Sequence, residues 1–302
     1  MDQIRQFGEY AKELGCEVRY DEPMSRHTTF RIGGPADVYL VAPDSAALRK
    51  LCKKSKELGV RMVPLGNGSN TLVRDEGVRG AVVALGDGFR KIEAVGSTSI
   101  ECGAGVSLAR LCSFARDCSL TGLEFAWGIP GLVGGAAFMN AGAYGGSMSE
   151  VITVCSHVTP SGEAGALRGA ELCFGYRHSA YTENGCFITS VRVALRSGNG
   201  EAINTAMEDL YSRRKEKQPL ELPSAGSVFK RPEGHFAGTL IEQCGLKGRR
   251  VGGAEVSGKH AGFIVNMGGA TCGDVLALIE VIRETVLRET GVTLECEVKT
   301  LG

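Results

Sequence analysis

Two glycine-rich segments of this 302-residue chain have compositions typical of backbone that lies against a phosphate or a large planar ligand. The first, 66-GNGSN-70, follows the apolar sequence MVPL, and small residues after a strand allow successive N–H groups to converge on an anion. The second, 128-GIPGLVGGAAFMNAGAYGG-146, contains seven glycines and no charged residue. Because a glycine has no Cβ, a ligand can approach such backbone closely. Together the two segments predict a ligand that is contacted along its length.

Taken alone, the segment GNGSN leaves two interpretations open, an ordinary loop and a phosphate site. A dinucleotide-binding G-x-G-x-x-G pattern would need glycine where Thr71 stands, and the Gly-Lys-Ser/Thr of a P-loop is missing. The following residues, TLVRDEG, do not have the pattern of a helix. The second glycine-rich segment favours the ligand.

Ser227, in 223-PSAGSVFKRP-232, is a candidate proton donor. It is not a nucleophile elbow, because G-x-S-x-G is absent and Gly226 directly precedes the serine. The local sequence supplies no histidine base, and a serine is a weak acid unless neighbours stabilise its alkoxide. A turn serine at the end of a strand is the alternative interpretation.

Charged side chains that could face a site lie in two other segments. A strand predicted over 292-VTLECEV-298 would place Glu295 and Glu297 on one face, which is either directed at a site or simply solvated. Arg177, in 175-GYRHS-179, could bind a carboxylate through two hydrogen bonds or could be a surface arginine.

The elements that must position these residues form a mixture of helices and strands. Amphipathic spacing and capping residues predict helices over 2–15, 46–58, 108–118, 202–217 and 272–290. Short strands are predicted over 36–41, 61–65, 81–85, 92–95, 99–103, 151–159, 187–195 and 292–298. This order predicts α+β domains rather than one doubly wound sheet, with a boundary near 198–200.

The composition is that of a globular protein whose positive and negative charges balance. Lys plus Arg and Asp plus Glu both number 34, which gives no preference for nucleic acid or an anionic membrane. Eleven cysteines without a C-x-x-C spacing predict reduced thiols, and the first fifteen residues are not a signal peptide. Five scattered histidines predict no metal site. We therefore expect a cytoplasmic protein.

Eight segments of the chain resemble one known family in order and spacing, the UDP-N-acetylenolpyruvoylglucosamine reductases of bacterial cell-wall synthesis. They cover nearly the whole chain, and the short stretch between Arg177 and Ser227 resembles the shorter subtype of the family. The segments are 28-TTFRIGGPAD-37, 64-PLGNGSNTLV-73, 128-GIPGLVGGAAFMNAGAYGG-146, 175-GYRHS-179, 223-PSAGSVFKRP-232, 239-TLIEQCGLKG-248, 260-HAGFIVN-266 and 294-LECEV-298.

The resemblance implies an α+β fold with three domains. Two subdomains of the FAD-binding fold shared with vanillyl-alcohol oxidase are expected over residues 1–80 and 81–200, and a C-terminal α+β substrate domain over 201–302. It also implies non-covalent FAD, NADPH as co-substrate, and UDP-N-acetylglucosamine enolpyruvate as the substrate. NADPH would reduce the flavin, and the reduced flavin would pass hydride to the enolpyruvyl double bond.

The same resemblance implies roles for single residues. Ser227 would protonate the substrate carbon, while Arg177 and Glu297 would stabilise the enolic intermediate. Expected contacts to the cofactor come from Gly66, Asn67, Gly68, Ser69, Asn70, Ile129, Pro130, Gly135, Asn140, Ala141, Gly142 and Ala143. Expected contacts to the substrate come from Tyr144, Tyr176, Arg177 and Lys217, with Lys215 as the alternative to Lys217.

Two other functions remain open at this stage. A flavin-dependent oxidase of the same fold would keep both glycine-rich segments but would have no reason to carry Arg177, Ser227 and Glu297 together. A catalytically silent nucleotide-binding protein would bind the UDP-sugar without turnover. In every case we expect a monomer that binds neither nucleic acid nor a membrane.

Overall fold

The computed structural model describes residues 2–302, which contain eight α-helices and nineteen strands. The helices are α1 Gln3–Glu13, α2 Ser45–Leu58, α3 Leu108–Asp117, α4 Val133–Phe138, α5 Tyr181–Asn184, α6 Gly200–Lys217, α7 Ala237–Gln243 and α8 Cys272–Thr290. The strands are β1 Glu17–Pro23, β2 Pro35–Ala42, β3 Met62–Pro64, β4 Thr71–Val73, β5 Val78–Leu85, β6 Ile92–Val95, β7 Ser99–Gly103, β8 Leu120–Thr121, β9 Gly142–Ala143, β10 Gly146–Ser147, β11 Ile152–Val158, β12 Ala164–Arg168, β13 Phe187–Ala194, β14 Arg196–Ser197, β15 Ser224–Ser227, β16 Arg250–Val251, β17 Ala254–Val256, β18 Phe263–Asn266 and β19 Lys299–Leu301.

Local capping residues determine where the longer helices begin and end. The Asp44 carboxylate accepts the Ala47 N–H at 2.8 Å at the start of α2, and Gly59 ends this helix in the left-handed conformation. Ser107 caps α3, and Thr271 with Asp274 forms a capping box at α8. The five predicted helices are therefore confirmed, with ends that differ from the prediction by at most two residues.

The larger of two compact units comprises residues 2–20, 38–67 and 80–213. It holds an antiparallel sheet in the order β12-β11-β13-β7-β6, in which buried Val191 and Val193 alternate with exposed Arg192. The apolar face packs against buried residues of α3 such as Leu108 and Leu111. A second core joins the apolar side chains of β2 to those of α2.

The smaller unit comprises residues 21–37, 68–79 and 214–302. Its sheet has the order β15-β18-β17-β16, and the short strands β4 and β19 form a separate parallel pair. Helix α8 contributes one apolar stripe, Val275, Leu278, Ile279, Ile282 and Val286, to the core of this unit. Three distant parts of the sequence therefore build one hydrophobic core.

One predicted element, the strand over 292–298, is wrong. Residues 292–298 form no continuous strand, because the N–H groups of Glu297 and Val298 both donate to Val228 O and only Cys296 makes a bridge, to Phe229. Cys296, which strand alternation would place on the face opposite the two glutamates, is exposed. The second glycine-rich segment contains a short helix, α4, which was not among the predicted helices.

No helix within residues 2–302 has both the length and the apolar composition needed to cross a membrane.

Candidate active site

The two glycine-rich segments meet inside the larger unit. A Cβ built on Gly66 would contact only the Leu132 side chain, at 3.8 Å, and Leu132 is the residue that precedes α4. On α4 itself, Gly135 is exposed and a Cβ there would project into open space. The N–H groups of Val133 and Gly134 donate to protein carbonyls, whereas that of Gly135 has no acceptor among residues 2–302.

Tyr144 lies at the tip of a two-residue hairpin turn between β9 and β10. Tyr144 and Gly145 both have positive φ, at 52° and 88°, as a type I′ turn requires. A left-handed conformation is uncommon for a tyrosine. The turn presents the ring outward with 45% of its surface exposed.

Arg177 also has a left-handed backbone, with φ of 56°, in the turn from Gly175 to His178. Its Nη2 donates to Gly142 O at 3.4 Å, and its guanidinium carbon lies 5.0 Å from the ring centre of exposed Tyr176. These contacts place two predicted substrate residues beside the glycine-rich segment. Asn140 joins the same turn through its side chain amide.

In the smaller unit, the end of the segment GNGSN is attached to the strand that leads to Ser227. The hydroxyl of Thr29 donates to Ser224 O at 2.7 Å, and the Thr29 N–H donates to Gly68 O at 3.3 Å. Gly68 needs to be glycine, because its φ is 59° and an added Cβ would lie 2.4 Å from His27 O.

Ser227 and Glu297 are brought together by backbone hydrogen bonds through Val228. The Glu297 N–H donates to Val228 O at 2.7 Å, and the Lys230 N–H donates to Glu295 O at 2.9 Å. Asn70 joins the same arrangement, since its Nδ2 donates to Glu297 O at 3.3 Å. Residues that are far apart in sequence thus form one cluster. Glu295 instead forms an exposed ion pair with Lys230.

His260 is a neighbour of Ser227 that the sequence analysis missed. A Cβ built on Gly262 would lie 3.0 Å from His260 Cε1 and 3.4 Å from Ser227 Oγ, so the ring and the hydroxyl flank the same glycine. The hydroxyl itself donates to Phe229 O at 3.2 Å. Burial lowers the pKa of His260, whose Nδ1 accepts the Gly262 N–H.

The other predicted site residues have simpler surroundings. Lys217 and Lys215 are both exposed near the end of α6, and their surroundings do not select one as the substrate ligand. Among the remaining predicted cofactor residues, Pro130 is exposed, and Ile129, Ala141 and Ala143 are half-buried in the second glycine-rich segment.

Histidine side chains elsewhere make structural contacts. His157 is buried, and its Nδ1 lies 2.9 Å from the Tyr181 hydroxyl, which donates to Cys155 O. His27 pairs with Glu22. Within residues 2–302, no three His, Cys, Asp or Glu side chains are grouped so that they could hold a metal ion.

Comparison with known proteins agrees with this geometry. The family description "UDP-N-acetylenolpyruvoylglucosamine reductase, C-terminal domain" matches residues 218–301, and "FAD binding domain" matches residues 36–167. A protein of Agathobacter rectalis named UDP-N-acetylenolpyruvoylglucosamine reductase is 46% identical over 99% of this chain and 98% of its own length. The chain belongs to the UDP-N-acetylenolpyruvoylglucosamine reductase family.

Further relatives of the same name support the assignment to this reductase family. A Streptococcus pneumoniae protein is 47% identical over 95% of both chains. The crystal structure of the reductase from Thermus caldophilus superposes with a TM-score of 0.82, at 36% identity, over 95% of this chain and 99% of that chain. The predicted resemblance and the predicted fold class, an FAD-binding fold followed by a C-terminal α+β domain, are therefore confirmed.

The residues of this family member fit FAD. In the larger unit, the N–H groups of Gly66, Asn67 and Gly135 donate to no protein acceptor within residues 2–302, and no Cβ blocks Gly135. In the smaller unit, the N–H groups of Ser69 and Asn70 are likewise without a protein acceptor in the described chain. Unpaired N–H groups on glycine-rich loops suit the oxygens of a pyrophosphate.

Proposed function

We propose that the chain is an NADPH-dependent flavoenzyme that reduces the enolpyruvyl group of UDP-N-acetylglucosamine enolpyruvate to give UDP-N-acetylmuramate, a peptidoglycan precursor. The relatives with this family name cover almost the whole chain, which makes the same reaction the best-supported one. The observation that carries the proposal is the hydrogen bond from the Glu297 N–H to Val228 O, which holds the backbone of Glu297 against the residue that follows Ser227. A proton donor and a carboxyl group held close to each other suit the protonation of an enolic intermediate.

FAD would be held without a covalent bond. Its pyrophosphate would accept hydrogen bonds from N–H groups of the segment 66–70, and the uncharged segment 128–146 would lie against the rest of the cofactor. We assign cofactor contacts to Gly66, Asn67, Gly68, Ser69, Asn70, Ile129, Pro130, Gly135, Asn140, Ala141, Gly142 and Ala143. When bound, FAD would supply hydride chemistry, accepting hydride from NADPH and passing it to the substrate.

Ser227 would give its hydroxyl proton to the carbon next to the one that receives hydride. At rest this proton is directed at Phe229 O, so the hydroxyl must rotate toward the substrate. Arg177 would stabilise the charge that builds up on the substrate carboxylate as the double bond is reduced, and Glu297, as a neutral acid, would donate a hydrogen bond to the same enolic intermediate. The acid therefore owes its efficiency to placement, and solvent would restore the proton afterwards.

Substrate binding would use the outward-facing rings and cations. Tyr144, Tyr176 and Arg177 would contact the sugar, phosphates or carboxylate, and Lys217, or Lys215 in its place, would contact the phosphates or carboxylate. We further propose a cytoplasmic monomer. The three-domain division into 1–80, 81–200 and 201–302 is a prediction that limited proteolysis of the holoenzyme can address.

The test is an anaerobic visible spectrum of the purified holoprotein. We expect NADPH to bleach the flavin band and UDP-N-acetylglucosamine enolpyruvate to restore it. Bleaching that only oxygen reverses would favour a flavin oxidase. A protein that binds UDP-sugar but does not bleach would be catalytically silent, and a chain that binds no FAD would contradict the proposal altogether.

A further inference from the structure

The turn that carries Tyr176 and Arg177 has a strained backbone. Gly175 O accepts the His178 N–H at 3.3 Å, which closes a four-residue turn with Arg177 in the third place. The φ of Arg177 is 56°, a left-handed conformation that is uncommon for a residue with a Cβ. Such a conformation persists only where the surroundings hold it, and it is concentrated at functional sites.

Asn140 is the buried group that holds this turn. Its side chain Nδ2 donates to Gly175 O at 2.8 Å, and its Oδ1 accepts the Ser149 N–H at 2.9 Å. Only 7% of the residue is exposed, and its own φ is 43°, which asparagine tolerates better than most residues. Both polar atoms of the amide therefore bind protein backbone. Nδ2 binds a residue 35 positions away along the chain, and Oδ1 binds one nine positions away.

Two further hydrogen bonds join the same two segments. The Ser179 hydroxyl, which is fully buried, donates to Phe138 O at 2.8 Å. Arg177 Nη2 donates to Gly142 O at 3.4 Å. Asn140 lies between Phe138 and Gly142 in sequence. Of the three hydrogen bonds, only that of Asn140 has its acceptor in Gly175, the first residue of the turn.

We propose that Asn140 is a positioning residue for Arg177. This rests on the proposed function, and it gives Asn140 a task beyond that of a contact to the cofactor. The hydrogen bond from the amide to Gly175 O holds the strained turn in place. It thereby fixes the direction in which the Arg177 side chain points. Charge stabilisation by a guanidinium depends steeply on its placement, because a displacement of about 1 Å can lower a rate ~100-fold.

The test compares variants by the two half-reactions under anaerobic conditions. Asn140→Gly removes the amide and suits a positive φ, so it adds no backbone strain. In protein saturated with FAD, we expect reoxidation of the flavin by the enolpyruvyl substrate to slow about 10- to 100-fold, and by a larger factor than flavin reduction by NADPH. Asn184→Gly is the matched control, because it removes an amide that binds the backbone of Cys186 elsewhere in the same unit, and we expect no such slowing.

A double-mutant cycle separates positioning from a general structural role. If Asn140 acts through Arg177, Asn140→Gly should cause little further slowing in an Arg177→Ala background. Hydrogen exchange in the protein without cofactor gives a second readout, since the amides of 175–178 should exchange faster in Asn140→Gly than in Asn184→Gly. If Asn140→Gly is unstable, Asn140→Asp keeps the acceptor for Ser149 and replaces the donor to Gly175 O by an oxygen that cannot donate.

The possible failures are distinguishable. A wild-type flavin that the enolpyruvyl substrate never reoxidises would overturn the proposed function and this role with it. Normal wild-type turnover with multiplicative losses in the double variant would overturn the role of Asn140 alone. So would a loss of FAD affinity in Asn140→Gly that accounts for the whole defect.

Discussion

Replacing Ser227 by alanine should separate protein stability from catalysis. The hydroxyl donates a 3.2 Å hydrogen bond to Phe229 O, and the loss of one such bond lowers the free energy of unfolding by only about 0.5–1.5 kcal/mol. Loss of a positioned general acid typically slows a step by ~10²–10⁴, which corresponds to roughly 3–5 kcal/mol in the barrier. The barrier should therefore change more than the stability does.

The assay is anaerobic stopped-flow spectroscopy of the flavin band, combined with urea unfolding. In Ser227→Ala we expect flavin reduction by NADPH at the wild-type rate, and reoxidation by the enolpyruvyl substrate at least about 100-fold slower. Ser224→Ala, the same change three residues earlier in β15, is the control and should leave both steps unaltered. Equal rates in Ser227→Ala and wild type, or an equal loss in both half-reactions, would refute the assignment of Ser227 as the acid.

Three further predictions concern the surroundings of the site. Gly68→Ala should lower the free energy of unfolding and the FAD affinity more than Gly15→Ala does. Both glycines have positive φ, but only at Gly68 would the added Cβ meet backbone atoms. Urea unfolding and FAD titration of the two variants measure the difference. Asp75→Ala should lower the free energy of unfolding by about 1–2 kcal/mol, and Asp75→Asn by less, because this carboxylate accepts two N–H groups at the start of α8, at 2.8 and 2.9 Å. The free energy of unfolding should fall as the pH drops from 7.5 to 5.5. Burial lowers the pKa of His260 in the folded protein, so the unfolded histidine, with a pKa of about 6.5, binds more protons in this range. Urea unfolding at several pH values measures this slope, and an unchanged slope in His260→Gln would contradict the prediction.

Short-range signals made much of the secondary structure predictable. The start of α8 is specified by Thr271 and Asp274 three residues apart, and its apolar stripe by a 3.6-residue period. Prediction failed for a segment whose hydrogen-bond partners lie far away in the sequence. Residues 292–298 alternate like a strand, but their partner carbonyl, Val228 O, accepts two N–H groups and interrupts the ladder.

The sequence by itself determined which residue types are available for chemistry and which backbone can come close to a ligand. Glycine content and the absence of charge in 128–146 follow from composition, and the order of the eight family-like segments identified the family that the comparisons then confirmed. These properties need no knowledge of what lies beside each residue.

Only the tertiary structure decided which of these residues lie close together. Asn70 reaches Glu297 O across 227 positions of sequence, Asn140 reaches Gly175 O across 35, and His260 comes to flank the same glycine as Ser227. A hydrogen bond depends on a separation of about 3 Å in space and on no spacing along the chain. Pattern and propensity describe neighbours in sequence, whereas the placement of the proposed acid, carboxylate and guanidinium depends on packed cores built from distant segments.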